Sequence, residues 1–391
     1  MTPAARVQAA IEILDEVIAS ARSEGPPADA IVQRYFKTRR YAGSKDRRAV
    51  RELVFRAIRR CGEPPPSGRA AMLGLADDDA SLLDLFDGSP HGPGAREASE
   101  LPADASLLPH WILPCLSDHL VPEEWPALLT RAPLDLRANI ARTSRGAMME
   151  AFDGAEPTRL SPWGLRLPPD SRVDDHPAFA DGLVEVQDEG SQLIVLACQP
   201  ANGMRILDLC GGAGGKSLAL AAAAPGAEII ASDTNRARLA QLAPRAERAR
   251  ATIATRLLDD GRELEQLADL EGQCDLVLVD APCSGSGIWR RSPEGRWRLN
   301  PERLDRLVLA QERLLDIAAP LVKPGGTLVY ATCSIVAAEG ADQARNFLGR
   351  HSSWLVQDMA FDGGRADGPG RLLTPAHDAA DGFFVARFLR P

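Results

Sequence analysis

Val7, Ile11, Leu14 and Ile18 recur at helical spacing, and so do Val50, Val54 and Ile58, with Leu53 and Ala57 beside them. Both segments are expected to form amphipathic helices whose apolar stripe faces a core. On the second, at about 100° per residue, Arg48, Arg56 and Arg59 fall opposite the Val50/Val54/Ile58 stripe. GEPPPSG (62–68) and an acidic, Pro/Gly-rich run to about residue 105 then read as the end of a small helical domain and a linker. From about residue 186 the pattern changes. Short apolar runs, RILDL, EIIASD, TIATRLL, DLVLVD and GTLVYATC, alternate with Ala/Leu/Arg-rich helical stretches. That alternation predicts an α/β domain with a parallel sheet and crossover helices, preceded by a mainly helical N-terminal domain. Residues 106–185 are mixed in character and rich in proline, and no period assigns them. The expected division is therefore 1–105 helical domain and linker, 106–185 connecting subdomain, and 186–391 catalytic domain.

The 391 residues are 45% hydrophobic and 25% charged, a globular composition. Arg6, Glu12, Asp15 and Glu16 interrupt the first helix, and the richest apolar stretch, 218–231, is broken by Pro225, Gly226 and Glu228. Neither suits a signal peptide or a membrane span, so a cytoplasmic protein is expected. Seven cysteines, an odd number, and the lack of any CxxC pair point to reduced thiols and to neither a disulfide framework nor a metal site. A formal net charge of -9 excludes a uniformly basic nucleic-acid binder. Residues 34–60 nevertheless carry eleven basic side chains against two acidic ones, a local net of +9, which is a candidate phosphate-gripping face.

In parallel sheets ligands bind beyond the carboxyl ends of the strands. The run DLCGGAGGKS (208–217) follows an expected strand and precedes an expected helix. A phosphate-binding GxxxxGK[ST] loop would need glycine at Cys210, and a GxGxxG fingerprint from Gly212 would need glycine at Ser217, so each template misses by one residue. The layout fits S-adenosylmethionine, with the methionine portion on the glycine turn and Asp233, which ends EIIASD, taking the ribose hydroxyls. Asp260 in DDGR is a third acidic candidate, with Asp259 in reserve; a tight turn with no ligand is the plainer alternative.

DAPCSGSG (280–287) and ATCS (331–334) each place a cysteine just past an apolar strand, in the ligand-binding zone, whereas Cys61, Cys198 and Cys274 read as small core residues. Two thiols there suit one chemistry. Carbon 5 of cytosine is a poor nucleophile until a thiolate adds to carbon 6 and turns the ring into an enamine-like species that attacks a sulfonium methyl. A free thiol of pKa about 8.5 is only a few per cent ionised at neutral pH, so the site must favour the thiolate or accept its proton. Asp280 is placed to hydrogen-bond the exocyclic amine or the protonated ring nitrogen.

Taken together, VQDEGSQ (186–192), DLCGGAGGK (208–216), DDGR (259–262), DAPCSGSG (280–287), RRSPEGRW (290–297), KPGGTLVYATCS (323–334) and DGFFVARF (381–388) resemble the RNA cytosine-5 methyltransferase family of the bacterial small-subunit methyltransferase B type. YAGSKDRRAVRELVFRAIRR (41–60) is more weakly similar to that family's helical NusB-like RNA-binding domain. The resemblance implies a class I, Rossmann-like methyltransferase that uses S-adenosyl-L-methionine to methylate carbon 5 of a cytosine in RNA, above all 16S ribosomal RNA, as a monomer. It implies that Cys333 is the nucleophile and that Cys283 assists release. It also implies that Cys210, Gly211, Gly212, Ala213, Gly214, Gly215, Lys216, Asp233, Asp260 and Asp280 line the cofactor site. Ala213 stands where the family usually has proline. Two rivals remain: a DNA cytosine-5 methyltransferase, whose thiolate comes from Pro-Cys, here Pro282-Cys283, and a non-catalytic RNA-binding ribosome-assembly protein.

Overall fold

The computed structural model describes every residue except 24, 169 and 170. The chain forms two compact units. The first holds Met1–Leu116, Val121–Thr130 and Ile288–Arg303, and the second holds Ser117–Leu120, Arg131–Gly287 and Leu304–Pro391.

The first unit is built on helices α1 (Pro3–Arg22), α2 (Ala28–Thr38), α3 (Ser44–Arg60) and α4 (Gly68–Asp78). Thr2 starts α1 by accepting from Ala5 N at 3.2 Å, and Pro3 occupies the first helical position, where its missing N–H costs nothing. The expected stripes are buried together: Val7, Leu14, Val50, Val54 and Ile58 have no exposed surface, and Ile11 and Ile18 very little. The segment RRSPEGRW, distant in sequence, packs into this same unit from residue 288 onward. Its side chains satisfy helix ends. Glu294 Oε1 accepts from Ala28 N, at the start of α2, at 3.0 Å, and Arg296 Nη2 donates to Ile58 O, in the last turn of α3, at 2.7 Å. Trp297 joins the core and donates to Cys61 O at 2.8 Å. An acid at a helix start and a cation at a helix end each answer unpaired backbone groups and the helix dipole.

The second unit contains two sheets. Strands β1 (Leu134–Ala138), β2 (Glu156–Pro157), β3 (Gly164–Leu167) and β4 (Val184–Val186) form an antiparallel sheet in the order β2-β3-β1-β4. Most of the segment without a readable period is thus folded. A nine-stranded sheet follows. Its parallel part consists of β5 (Arg205–Asp208), β6 (Glu228–Asp233), β7 (Ala254–Leu257), β8 (Cys274–Asp280) and β9 (Val322–Thr332), in the order β7-β6-β5-β8-β9. All five apolar runs picked out in the sequence are these strands. The C-terminal hairpins, β10 (Leu355–Val356), β11 (Arg365–Asp367), β12 (Gly370–Leu373) and β13 (Phe383–Leu389), extend the sheet beyond β9 through antiparallel pairing of β13 with β9. DGFFVARF supplies β13.

VQDEGSQ is a structural joint within this unit. Asp188 caps the helix Glu189–Cys198 by accepting from Gly190 N at 2.7 Å, and its same oxygen accepts from Asp381 N at 3.0 Å. Glu189, fully buried, accepts from Ser161 N at 2.7 Å, and Gln192 accepts from Ser161 Oγ at the same distance.

Candidate active site

Parallel pairing puts the carboxyl ends of neighbouring strands on one edge. Asp208 lies in register with Leu278 of β8 and Ala231 of β6, and Asp280 with Ala331 of β9. Asp208, Asp233, Asp280 and, one residue past β9, Cys333 therefore share that edge.

The glycine turn after β5 is held by its own backbone. Gly214 N donates to Gly211 O and Gly211 N to Ser232 O, both at 2.8 Å, while Arg245 Nη1 holds the carbonyl of Ala213 at 2.6 Å. Gly214 has φ +83°, and a Cβ there would come within 2.1 Å of Leu242 Cδ1, so this position requires glycine for both backbone and packing. The Asp233 carboxylate grips the turn from the next strand: Oδ2 accepts from Gly212 N at 2.8 Å and Oδ1 from Asn235 N at 2.6 Å. Each oxygen retains a lone pair for a hydroxyl.

Lys216, the last residue of the loop motif, donates to Asp280 Oδ2 at 2.6 Å and lies 5.3 Å from the ring centre of Phe383. Burial pulls its pKa down, but the Asp280 carboxylate outweighs that, so the ammonium is held more firmly than usual. Asp280 Oδ1 has no hydrogen bond among the described residues and is free for a ligand. Asp208 is buried; Ser217 Oγ donates to its Oδ2 at 2.6 Å, and Oδ1 is buried without a partner. Burial pushes its carboxyl up to about 7, with Ser217 opposing and Asp280 adding to the shift. A buried carboxyl oxygen without a partner on Asp208 and the further acidic strand ends Asp233 and Asp280 fit a ligand with cationic and hydroxyl groups, as S-adenosylmethionine has.

The two cysteines meet. Cys283 Sγ and Cys333 Sγ lie 3.3 Å apart, and Gly287 N donates to Cys333 O at 3.0 Å, which ties one cysteine loop to the other. The hydrogen bond to Cys333, and then burial, raise the Cys283 thiol well above its ordinary value. Burial likewise raises Cys61, Cys198 and Cys274, in keeping with core roles, and it also raises Cys210 beside the turn.

Asp260 is not brought into this cluster. Its side chain is 86% exposed and pairs with Arg313 at 3.1 Å, while Asp259 accepts from Gln266 Nε2 at 2.8 Å. Sequence reasoning in turn missed Glu339, fully buried, which accepts hydrogen bonds from Ser284, Ser334 and Gln311. The available signal was a serine following each cysteine and an acid six residues beyond Cys333.

Among known proteins, the family described as 16S rRNA methyltransferase RsmB/F matches residues 194–389. Ribosomal RNA small subunit methyltransferase B of Salmonella arizonae is 35% identical over 297 residues, covering 74% of this chain and 68% of the relative; its counterpart in Salmonella paratyphi B is 34% identical over the same shares. In fold, the crystal structure of PH0851 is similar over 99% of both chains with a TM-score of 0.76 at 20% identity. NSun6 from Pyrococcus horikoshii, solved with the S-adenosylmethionine analogue SFG, is similar over 68% of this chain and 92% of its own, with a TM-score of 0.59 at 18% identity. The match over half the chain, set on a class I sheet with a glycine turn and two thiols at its carboxyl edge, has one reading: the chain belongs to the 16S rRNA methyltransferase RsmB/F family and is an S-adenosylmethionine-dependent RNA methyltransferase.

Proposed function

We propose that this enzyme methylates carbon 5 of a cytosine in small-subunit ribosomal RNA through a covalent adduct to Cys333, with Cys283 serving its release. The observation that carries the reading is the pair of thiols 3.3 Å apart at the sheet edge that also holds the glycine turn. The contact with Cys333, and then burial, hold Cys283 as the thiol, which leaves Cys333 as the sulfur that attacks. Bound S-adenosylmethionine supplies an electrophilic methyl group. Cys210 to Lys216 and Asp233 would hold it, with Asp233 on the ribose hydroxyls; Asp260, exposed and paired with Arg313, contributes only after a rearrangement.

The Cys333 thiolate attacks carbon 6, forming the sulfur–carbon bond and moving charge onto ring nitrogen 3 and oxygen 2. Asp280, anchored by Lys216 through Oδ2, offers Oδ1 to the exocyclic amine or the protonated nitrogen and so stabilises that adduct. Carbon 5 then takes the methyl group. Its proton must leave to a base; the electron pair left behind re-forms the ring double bond and expels Cys333 as thiolate. Cys283, 3.3 Å from Cys333, takes that proton as a thiolate after its own thiol proton has passed to solvent. The bacterial relatives, named for small-subunit rRNA, support a cytoplasmic enzyme acting on that RNA.

Single substitutions separate the two thiols. Cys333→Ala should neither methylate nor form an RNA adduct, whereas Cys283→Ala should transfer the methyl group and then stall, leaving a protein–RNA band that survives denaturing electrophoresis. The target base must be unstacked at a cost of a few kcal/mol, so the band should be stronger on loop cytosines than on paired ones. A trapped adduct seen only with Cys333→Ala would move the nucleophile to Cys283.

A further inference from the structure

Glu339 ends a turn of 3₁₀ helix, Ala337–Glu339, just beyond Cys333, and has no exposed surface. Four donors converge on its carboxylate. Oε1 accepts from Ser284 N at 2.8 Å and from Gln311 Nε2 at 3.0 Å, and Oε2 accepts from Ser284 Oγ at 2.5 Å and Ser334 Oγ at 2.6 Å. Ser284 follows Cys283 in the chain and Ser334 follows Cys333. One carboxylate thus ties together the residues next to both thiols, although the two cysteines are fifty residues apart. The Glu339 carbonyl is pinned in turn, accepting from Tyr330 Oη at 2.7 Å and Thr332 Oγ1 at 3.2 Å, both on β9. Ser286 Oγ completes the knot, within 3.0 Å of Ser334 Oγ and accepting from Ile335 N at the same distance.

A buried carboxylate is a poor device for stability alone, because apolar residues of equal volume do as well or better. Four donors aimed at one charge do give geometric definition, which the reaction needs twice: Cys333 must reach carbon 6 and Cys283 must reach the carbon 5 side of the same ring. We propose that Glu339 is a positioning residue which, through Ser284 and Ser334, sets the spacing of the Cys283 and Cys333 thiols. The proposal rests on the two-thiol reading above. Glu339 itself touches no reacting atom.

Two readouts test it. The first is the split between kcat and cofactor affinity. The second is the rate at which oxidised glutathione converts the two thiols to an internal disulfide, each disulfide formed releasing two glutathione thiols; it depends on spacing and not on which cysteine attacks RNA. Glu339→Ala should lower kcat and slow disulfide formation, each by about tenfold to a hundredfold, the penalty for a displacement of roughly 1 Å, with S-adenosylmethionine affinity within about twofold. Glu339→Gln keeps the shape: its oxygen still accepts from Ser284 N and Gln311, and its amide donates to the serine hydroxyls. It should therefore recover most of both rates. Wild-type disulfide formation in Glu339→Ala would overturn the proposal. If Glu339→Ala also loses cofactor binding, Ser334→Ala decides: slower disulfide formation with cofactor affinity retained supports the proposal, and an unchanged rate overturns it. Reversed cysteine roles in the RNA-trapping experiment would leave the disulfide rates where they are, so the two readings fail separately.

Discussion

The carboxyl edge of the parallel sheet and the basic stretch 34–60 each gather charged residues, but by opposite means. In the basic stretch the neighbouring helices supply partners. Arg39 pairs with Glu12 at 3.4 Å, Arg51 with Asp29 at 2.9 Å, Arg56 with Asp79 at 3.1 Å and Arg60 with Asp78 at 2.8 Å, and Arg34 pairs with Glu16. Much of the +9 counted along the sequence is therefore cancelled by acids that lie outside that segment. At the sheet edge Asp208, Asp233 and Asp280 lie together, and among the described residues Lys216 is the one cation ion-paired with them and one Asp208 oxygen has no partner. Parallel topology forces strand ends together whether or not their charges balance, whereas helix faces meet whatever the next helix presents. Excess charge at strand ends is thus charge held for a ligand, while charge on a helix face is available only after its neighbours have been counted.

The largest effect expected from this contrast is a pH dependence. Asp208 has its carboxyl raised by burial to about 7, above its ordinary value of 3.8, so the folded state prefers the protonated form. The stability that preference contributes is fully present below about pH 4 and is lost as pH rises through 7, a decline on the order of a few kcal/mol for a shift of this size. Asp208→Asn cannot ionise, so its melting temperature should fall less than that of the wild type over that window. Parallel melting curves would mean that the edge tolerates its charge as easily as the helical unit does.

Next in size is the ligand grip. Asp233→Ala removes the acceptor for Gly212 N and Asn235 N as well as the proposed ribose partner, and it should weaken S-adenosylmethionine binding by roughly 1 to 3 kcal/mol, about fivefold to 150-fold. Arg60→Ala, which breaks an ion pair of the helical unit, should leave that affinity where it is. Calorimetry on both variants sharpens the contrast, and an unchanged affinity for Asp233→Ala would take that residue out of the site.

How much of this was legible follows from which physics each element obeys. The strands that carry Asp208, Asp233, Asp280 and Cys333 are buried on both faces and read as unbroken apolar runs, so the sheet, the glycine turn and the two thiols could be placed from the chain alone. The sheet of β1 to β4 could not. Its strands are two to five residues long, and buried polar groups such as Asp135, Arg137 and Glu185 hide the apolar period. RRSPEGRW was legible as a motif but not as a partner of α2 and α3, because Glu294 and Arg296 are addressed to helix ends more than two hundred residues away. Glu339 was invisible for the same reason: its meaning lies in donors from three separate segments. Asp260 reads as a strand-end acid, yet the chain runs past β7 before reaching it and Arg313 pairs with it.

The smallest effect separates residues within the basic stretch itself. Arg48, Arg56 and Arg59 share one helical face, but they are no longer equivalent once their partners are known. Arg56 is engaged by Asp79, and Arg59 Nε donates to Leu129 O at 2.9 Å, whereas Arg48 is exposed and makes no ion pair among the described residues. If this face grips RNA phosphates, Arg48→Ala should reduce the slope of log affinity against log salt by about 0.7 to 0.9, the value for one phosphate no longer neutralised, or about threefold in affinity over a fourfold change in salt. Arg56→Ala should change the slope much less, because its guanidinium is already neutralised in the free protein and would have to leave Asp79 to meet a phosphate. Lys37, Arg40 and Lys45 have no ion pair among the described residues either, so replacing them together with Arg48 should reduce the slope further, in proportion to the number of phosphates they neutralise. Equal slopes for Arg48→Ala and Arg56→Ala, measured by filter binding across a salt series, would mean that pairing within the helical unit does not decide which of its charges RNA can use.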